Sequence, residues 1–597
     1  MATLTGRRRF QRLAIVTTFF LVAYLLLGRK GSSGRQTGWR DWEYIPSSFD
    51  WGRRPQAYPV DGSKRVRLPE GIPRQLPRIQ HEFSRDELSD SHNTTQRERR
   101  KAVRRVAKRS WKAYRDHAWG QDEVVPLRLV GRDTFAGWGA TLVDSLDTLW
   151  IMGMKEDFYD AVRHVATIDW NNSTFQDCSL FETNIRYLGG LLSAYDLSQE
   201  RILLDKAVEL GDMLHAGFDT PNHMPANTFH FELAKEGKLA AGKNVASAAV
   251  GSLSLEFTRL SQLTGNPKYY SAIDGVTKAF EETQDSTNLP GLWPVFVDLS
   301  SGFGVRGTVF SLGSSADSAY EYLSKMHALL GGLEPTYEKL HTKAMAAARK
   351  HLLFRPMLPD LPPATTPDIL FLGNVLSNGM TSMLQPEVQH LGCFAGGMFA
   401  LGGRLFGQED DVGIGERLAR GCAWAYQSFP TGIMPELSDI VPCEKKKKNK
   451  DEDDLAPCKW NETRWEEQWA HVSRFPKPFK MIRDPQYLLR PEAIESIFIL
   501  YRITGKADLL DIAWHMFQSI KDATETKFAY SSIADVQVTK RTTKLNRMES
   551  YWIAETLKYF YLIFSEPELI SLDDYVLNTE AHPLKLPKPG DGTMRGK

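Results

Sequence analysis

The side chains best suited to chemistry in this chain are acidic residues that recur near the starts of predicted helices. Glu492 and Glu495 are three residues apart and Asp317 and Glu321 are four apart, so each pair lies on one helical face. Like charges at these spacings destabilise a helix, so stability alone does not explain the two pairs. Acids in comparable positions are Asp144, Asp147, Glu182, Glu549, Glu555 and Glu580.

A ring of carboxylates can perform two tasks in one cavity. Two of them can supply the general acid and the general base that split a glycosidic bond. Carboxylates also hold a hard cation, which takes oxygen ligands, including sugar hydroxyls. One acid alone is ordinarily a solvated surface side chain, but acids at equivalent points of many helices favour a shared acidic cavity.

Helical hairpins must position these acids, because apolar residues recur at three- and four-residue intervals from about residue 97 to 582. One hairpin runs from Leu253 through Gly265 to Phe280, and another runs from Ile497 through Gly505 to Ile520. Repeated hairpins close into a toroid or extend into a solenoid. No long β-type alternation competes, so the pattern predicts an all-α fold.

The overall composition is that of an ordinary globular protein. Lys and Arg number 74 and Asp and Glu number 73, a formal net charge of +1, and 42% of residues are hydrophobic. Such values exclude a mainly disordered chain. They also give no basic excess for nucleic-acid binding, so we expect no nucleic-acid partner.

The N-terminal sequence predicts a membrane anchor. Basic residues precede an uncharged apolar run from Leu13 to Leu27, and Arg29 and Lys30 follow it. No small-residue cleavage site ends the run, and the basic flank would stay cytoplasmic, so we expect a single-pass type II signal anchor. The predicted parts are a cytoplasmic tail (1–12), the anchor helix (13–28), a luminal stem (29–96), the catalytic barrel (97–584) and a C-terminal tail (585–597).

Two further features favour the lumen of the endoplasmic reticulum or Golgi. Glycosylation sequons begin at Asn93, Asn171, Asn172 and Asn461. Five cysteines are present, of which four could pair in an oxidising lumen and one would remain. Whether Cys443 pairs with Cys458, around a charged loop, is open at this level.

Seven motifs, in order, resemble the class I α1,2-mannosidases, glycoside hydrolase family 47. The motifs are Gly137–Trp150, Leu180–Leu192, Ala316–Leu323, His390–Phe394, Leu489–Ser496, Met548–Lys558 and Asn578–Pro583. The resemblance extends from about Tyr114 to Leu584. It implies an (αα)7 barrel, bound Ca²⁺, and inverting hydrolysis of terminal α1,2-linked mannose from high-mannose N-glycans.

The resemblance also implies roles for individual residues. Glu492 matches the general base, Glu182 and Asp317 match two candidates for the general acid, and Thr579 matches the calcium ligand. Implied substrate-binding residues are Arg186, His390, Arg490, Glu495, Tyr551 and Glu555. Implied supporting acids are Asp144, Glu321, Glu549 and Glu580, and the implied disulfide joins Cys393 to Cys422, which leaves Cys178 as the odd thiol.

Two positions depart from the family pattern. Ser315 stands where members that remove a single specific mannose carry Arg, and Ala249 stands where the family often has an acid. Losing a guanidinium from a sugar site should relax branch selectivity. The alternatives are a degradation-directing relative that needs a partner, a catalytically inactive glycan-binding protein, and a scaffold that binds no sugar.

Overall fold

The computed structural model describes residues 43–359, 367–444, 455, 456, 458–469 and 475–591. Internal contacts divide the chain into residues 1–44 and a large unit of residues 45–597. The predicted cytoplasmic tail and anchor helix lie outside the described residues. Among the helices that are described, none combines the length and apolar character needed to cross a membrane.

Helices dominate the large unit. The α-helices are α1 (Asp90–His117), α2 (Ala140–Asp144), α3 (Leu146–Ile151), α4 (Lys155–Val165), α5 (Leu180–Glu182), α6 (Gly189–Ser198), α7 (Arg201–Ala216), α8 (Phe231–Lys235), α9 (Ser247–Gly251), α10 (Ser254–Thr264), α11 (Pro267–Thr283), α12 (Asp317–Leu329), α13 (Thr336–His351), α14 (Ala395–Leu405), α15 (Glu409–Gln427), α16 (Glu462–Trp469), α17 (Glu492–Thr504), α18 (Asp508–Thr524) and α19 (Leu557–Ile563). Two π-helical segments, Thr183–Leu188 and Trp552–Thr556, continue directly into α6 and α19. Short 3-10 helices are Trp51–Arg53, Gly62–Lys64, Leu391–Phe394 and Pro589–Asp591.

The hairpins close into a ring rather than extending as a solenoid. Within the described residues, seven inner helices contact one another in the order α3, α6, α10, α12, α14, α17 and α19, and the π-helical segment before α19 contacts α3. The outer helices α4, α7, α11, α13, α15 and α18 each pack on the inner helix that precedes them. α1 packs on α19, so the first long helix completes the last pair.

Glycine allows the tightest of these pairs. A Cβ at Gly396 of α14 would lie 2.9 Å from the backbone nitrogen of Ala419 on α15. A Cβ at Gly415 would lie 2.5 Å from the carbonyl oxygen of Gly396. The two backbones therefore touch. The disulfide between Cys393, in the 3-10 helix directly before α14, and Cys422 on α15 has a Cα–Cα distance of 6.1 Å and ties the start of α14 to α15. The family-implied disulfide is present.

Short strands correct the expectation of a purely α-helical chain. They are β1 (Glu123–Val125), β2 (Val130–Arg132), β3 (Asp177–Ser179), β4 (Thr228–His230), β5 (Val245–Ala246), β6 (Phe296–Val297), β7 (Val309–Phe310), β8 (Leu353–Phe354), β9 (Phe371–Leu372), β10 (Asn374–Ser377), β11 (Ser382–Gln385), β12 (Glu387–Gln389), β13 (Leu437–Ile440), β14 (Phe479–Asp484), β15 (Tyr575–Leu577) and β16 (Pro583–Lys585). They form antiparallel ladders of two or three strands, with orders β11-β10-β7 and β12-β13-β14 for the larger two. Strands of two to six residues are too short to leave a clear period-2 pattern in the sequence.

The β15–β16 hairpin matters most for the site. β15 contacts α12 and β16 contacts α6, so the turn between the two strands lies among the inner helices. The ladder pairs Leu577 with Pro583. The turn that carries residues 578–582 is therefore held from both sides by the ring.

The predicted stem is also different from a spacer. Trp51 is buried, and the Ser47 hydroxyl donates a 2.7 Å hydrogen bond to Glu209 on α7. Arg54 forms an ion pair with Asp219, and both side chains are nearly inaccessible to water. Residues from 45 onward therefore belong to the folded unit, and α1 begins at Asp90 rather than at residue 97. These contacts are isolated and polar, and the residues that make them follow no helical period, so the sequence pattern did not reveal them.

The structure also defines the pairing of the remaining cysteines and the C-terminal end of the folded unit. Cys443 pairs with Cys458, the alternative left open by the sequence, and Cys178 is a buried free thiol. β16 extends through Lys585, and Leu586 is buried. The folded unit therefore continues beyond the predicted end at residue 584.

Candidate active site

A cavity of about 300 Å³ opens among the N-terminal ends of the inner helices. Its walls include most of the residues that the sequence marked. Those are Glu182, Arg186, Asp317, Glu321, Arg490, Glu492, Glu495, Tyr551, Glu555, Thr579 and Glu580. Eleven residues from five separate motifs, spread over some 400 positions of sequence, thus face one space.

Helix starts place the two central carboxylates. Asp317 is the first residue of α12 and Glu492 is the first residue of α17. The N-terminal end of a helix carries partial positive charge and free N–H groups, so it suits an acid. The Ser318 backbone N–H and hydroxyl both donate to Asp317 Oδ1, at 2.6 and 2.9 Å.

Strained backbone turns aim these helix starts. Ser315 has φ of +70°, Leu489 has φ of +68° and Ala581 has φ of +58°. None of the three is glycine, so each position costs roughly 1–3 kcal/mol that surrounding contacts must offset. Ser315 precedes Asp317 by two residues and Leu489 precedes Glu492 by three, so two of the strained positions lie directly before the central cavity acids.

Glu492 has the environment of a base. Burial raises its pKa, but the hydrogen bond with His390 and the charge of Arg490 outweigh burial and bring the pKa below its ordinary value. His390 Nδ1 lies 3.2 Å from Glu492 Oε2, and Arg490 Nη1 lies 3.6 Å from Glu492 Oε1. Glu492 is thus held in the ionised form that accepts a proton.

Asp317 has the environment of an acid. Burial raises its pKa to about 7, and the charges of Glu321 and Glu492 act in the same direction. The hydrogen bonds from Ser318 oppose the rise without cancelling it. A carboxyl group with such a pKa keeps its proton near neutral pH and can donate it.

Glu182, the other candidate acid, is paired with a cation. It ends α5, and its Oε2 accepts a 2.9 Å hydrogen bond from Arg186 Nε. Arg186 also donates through Nη1 to Glu580 Oε2 at 2.9 Å, and its guanidinium lies over the rings of Phe135 and Tyr551. Arg186 therefore fixes one wall of the cavity.

The floor of the cavity is rich in carboxylates. Burial and then the charge of Glu321 raise the pKa of Glu495 well above its ordinary value. Burial and then Glu580 do the same for Glu555, and burial raises the pKa of Glu580 to about 8 against the opposing charge of Arg186. The carboxyl groups at the floor are therefore so crowded that their ionised forms are disfavoured unless a cation balances them.

Thr579 lies in this floor, at the β15–β16 turn. Its backbone N–H lies 3.3 Å from the Tyr322 hydroxyl. Within the described part of the chain, its carbonyl and hydroxyl oxygens take no protein hydrogen bond. Two free oxygens surrounded by carboxylates suit a hard cation such as calcium. No three His, Cys, Asp or Glu side chains in the described residues converge on one metal position, so water and ligand oxygens would have to complete such a shell.

Sequence reasoning missed Glu256, which supports this turn from below. It is fully buried on α10 and accepts 2.7 Å hydrogen bonds from Asn184 and Asn578 and a 2.8 Å bond from the Tyr322 hydroxyl. Asn578 Oδ1 in turn accepts the backbone N–H of Glu580. The position of Asn578 beside Thr579 in the last motif was the available signal.

A second cluster lies behind the same turn, where His582 and Lys558, which the sequence did not assign, meet Asp144 and Asp147. His582 Nδ1 lies 2.8 Å from Asp147 Oδ2, and His582 Nε2 lies 3.0 Å from Asp144 Oδ1. Lys558 Nζ is 2.9 Å from Asp147 Oδ1. Burial lowers the pKa of His582, but Asp147 outweighs burial and the pKa is raised to about 9.

Three predicted site residues do not line the cavity. Asp144 is buried behind Arg186, with 3.7 Å between Oδ2 and Nη1, and His390 is buried behind Glu492. Glu549 lies elsewhere, 3.1 Å from Arg547 Nη2 and close to Glu123. Burial, with the charge of Glu549 in addition, raises the pKa of Glu123 to about 8. The expectation that Glu549 belongs to the ring was therefore wrong, because its turn directs it toward β1.

Comparison with known proteins agrees with this geometry. The model of glycosyl hydrolase family 47 matches residues 106–586. The chain belongs to glycosyl hydrolase family 47. The resemblance found from the seven motifs is thereby confirmed, and so is the assignment to an enzyme family of glycoside hydrolases.

Individual relatives agree over most of the chain. A mannosyl-oligosaccharide 1,2-alpha-mannosidase of Arabidopsis thaliana is 34% identical over 498 residues, which are 82% of this chain and 79% of the relative. The endoplasmic reticulum enzyme of the same name from Rattus norvegicus is 34% identical over 500 residues, 82% of this chain and 69% of the relative. The structure of a Trichoderma reesei alpha-1,2-mannosidase aligns with a TM-score of 0.72 and 32% identity, covering 82% of this chain and 99% of that one. This chain therefore shares its helical barrel fold with the solved Trichoderma reesei structure.

Proposed function

We propose that this protein is an inverting exo-α1,2-mannosidase that removes terminal α1,2-linked mannose from high-mannose N-glycans. One observation carries the proposal: Asp317 and Glu492 line the same cavity with pKa values shifted in opposite directions. A general acid and a general base are the two groups that such hydrolysis needs. The relatives are named as 1,2-alpha-mannosidases, and these names support mannose as the sugar that is removed.

Each residue has a distinct role in the proposed reaction. Glu492 takes a proton from a water molecule, whose oxygen attacks the anomeric carbon. The glycosidic C–O bond breaks, and Asp317 or Glu182 gives its proton to the leaving oxygen. His390 and Arg490 keep Glu492 ionised, and Arg186 holds the Glu182 side of the cavity.

Calcium fits the floor of this cavity. Thr579 would hold the ion through its two free oxygens, with Glu321, Glu495, Glu555 and Glu580 around it. When bound, such an ion fixes sugar hydroxyls and water through oxygen coordination.

Ser315 and Ala249 support a broad choice of mannose branches. Both line the cavity, and the Ser315 carbonyl oxygen accepts a 3.1 Å hydrogen bond from the neighbouring Ala248 backbone. The wall they form carries no charge, so it offers no guanidinium or carboxylate to select one branch.

We place the enzyme in the secretory pathway, as a type II membrane protein of the endoplasmic reticulum or Golgi. High-mannose N-glycans occur there, and two disulfides are compatible with an oxidising lumen. A relative from Rattus norvegicus carries the endoplasmic reticulum in its name.

Hydrolysis of free Man9 glycan by the purified full-length chain in detergent tests the proposal. We expect mannose release with calcium, loss of release with excess chelator, and recovery when calcium is restored. Thr579→Ala should weaken calcium binding measured by calorimetry, whereas Thr336→Ala at the distant start of α13 should not. Glycan binding without release would favour the glycan-binding alternative, and full activity in chelator would remove calcium from the account.

A further inference from the structure

Tyr426 connects an outer helix of the barrel to the general base. It lies on α15, is 1% exposed, and its hydroxyl is 2.7 Å from His390 Nε2. The opposite ring nitrogen of His390, Nδ1, is 3.2 Å from Glu492 Oε2. His390 is itself fully buried, so the hydroxyl and the imidazole are shielded from solvent, and the line ends at the Glu492 carboxylate in the cavity.

The direction of the hydrogen bonds along this line determines whether His390 presents an N–H or a lone pair to the Glu492 carboxylate. A neutral imidazole has one N–H and one bare nitrogen. When the Tyr426 O–H donates to Nε2, the ring hydrogen must be on Nδ1, where it donates to Glu492. The other tautomer would place the Nδ1 lone pair against the carboxylate, which is repulsive in a buried site. A Tyr426 O–H that donates to Nε2 therefore selects the tautomer that stabilises ionised Glu492.

Neighbouring groups do not replace this contact. Tyr487 packs on His390 with ring centroids 5.6 Å apart, and its hydroxyl lies 3.3 Å from the Arg490 carbonyl oxygen. It supports the position of the ring but has no hydrogen bond to either imidazole nitrogen among the described residues. The Tyr426 hydroxyl is thus the protein group that Nε2 meets, and Tyr487 is hydrogen-bonded to that same hydroxyl.

We propose that Tyr426 is a positioning residue that fixes the Nδ1–H tautomer of His390 and thereby keeps Glu492 ready to accept a proton. The inference rests on the proposed function, because Glu492 is the base only in that reaction. The charged and titratable groups that face Glu492 are Arg490, His390, Asp317, Glu495, Glu555, Tyr426, Tyr487 and Tyr551.

Tyr426→Phe tests the proposal through the pH dependence of turnover. Without the hydroxyl, His390 can adopt the Nε2–H tautomer, and the ionised form of Glu492 loses its donor. We expect the acidic limb of kcat/KM to move upward by at least about half a pH unit, and kcat to fall by at least about threefold at low pH, with KM little changed. Tyr337→Phe is the matched control, because Tyr337 is buried on outer helix α13 and its hydroxyl lies 3.0 Å from Thr277.

A double-mutant cycle separates action through His390 from a general loss of stability. If Tyr426 acts through His390, His390→Ala combined with Tyr426→Phe should be no less active than His390→Ala alone. Independent losses that multiply would overturn the proposal. An unshifted acidic limb in a folded Tyr426→Phe variant would also overturn it.

The wild-type protein supplies a test that needs no stable Tyr426 variant. Nuclear magnetic resonance of ¹⁵N-histidine-labelled enzyme, with the His390 signal assigned by its loss in His390→Ala, reports the tautomer directly. We expect a neutral ring protonated on Nδ1, and a ring protonated on Nε2 or on both nitrogens at neutral pH would contradict the proposal. If the wild-type enzyme releases no mannose, the proposed function fails, whereas the tautomer result still decides the hydrogen-bond order.

Discussion

Two acidic clusters lie on either side of the β15–β16 turn, and they differ in how completely their carboxylates are paired with cations. Behind the turn, Asp147 meets His582 at 2.8 Å and Lys558 at 2.9 Å, and all three side chains are completely buried. In front of it, the carboxylates of the cavity outnumber the neighbouring cations, which are Arg186, Lys325 and Arg490. One cluster is electrically matched and closed, and the other is unmatched and open to the cavity.

This difference separates stability from function. Matched buried ions contribute by holding the turn in place, since removal of either partner leaves a charge without compensation. Unmatched carboxylates are unfavourable for folding and are found where a ligand, a cation or a proton transfer uses them. Substitutions in the two clusters should therefore affect different properties.

The largest expected effect is on stability. Asp147→Asn should lower the free energy of unfolding by about 3–5 kcal/mol, because Lys558 and His582 lose their shared partner in a buried site. Asp317→Asn in the open cluster should change it by less than about 1 kcal/mol. Chemical denaturation of both variants measures this contrast, and equal losses in the two would erase the distinction between the clusters.

The next effect is on turnover. Glu492→Gln should reduce kcat by at least about a hundredfold, the scale of a lost general base, with the melting temperature retained. Glu416→Gln on outer helix α15 is the control, since the ion pairs of Glu416 among the described residues are with Arg420 and Lys506 near the surface. Near-full activity of Glu492→Gln would remove this residue from the mechanism.

A smaller effect concerns stability at alkaline pH. The folded protein raises the pKa of His582 to about 9 from an ordinary value near 6.5, so its stabilising contribution is complete below about 6.5 and is lost as pH rises toward 9. At pH 8 the loss should be about 2 kcal/mol. Unfolding free energies measured from pH 6.5 to 9 should fall in the wild type, and the fall should be shallower in His582→Gln.

The smallest effect is the slope of the pH–rate profile. Glu492 must be ionised and its pKa lies below the ordinary value, so protonation of this base should lower kcat/KM only at acidic pH. Asp317 must be protonated with a pKa of about 7, so kcat/KM should fall about tenfold per pH unit above that value. If the alkaline limb persists unchanged in Asp317→Asn, Glu182 is the proton donor instead.

The two clusters also mark the limit of sequence reasoning. Helical periodicity and the recurrence of acids identified the hairpins and most of the cavity, because both signals are local. Glu256 and His582 were missed because their value depends on partners hundreds of residues away, such as Asn578 for Glu256 and Asp147 for His582. Glu549 was misplaced for the same reason, since spacing alone does not show which way a turn directs a side chain.

The folded part of the predicted stem gives a parallel lesson. Asp219 accepts hydrogen bonds from Arg54 and from the backbone N–H groups of Ala57 and Tyr58. An extended segment fixed by a few buried polar contacts has no period to detect. Its sequence resembles that of a linker although its residues are part of the barrel surface.

The anomeric form of the first mannose released tests the central claim most directly. Proton nuclear magnetic resonance during hydrolysis of an α1,2-linked mannose substrate distinguishes the two anomers before they interconvert. Inversion by a water that Glu492 activates predicts β-mannose as the first product. Release of α-mannose first, or no release in the presence of calcium, would contradict the assignment of acid, base and cavity made for this protein.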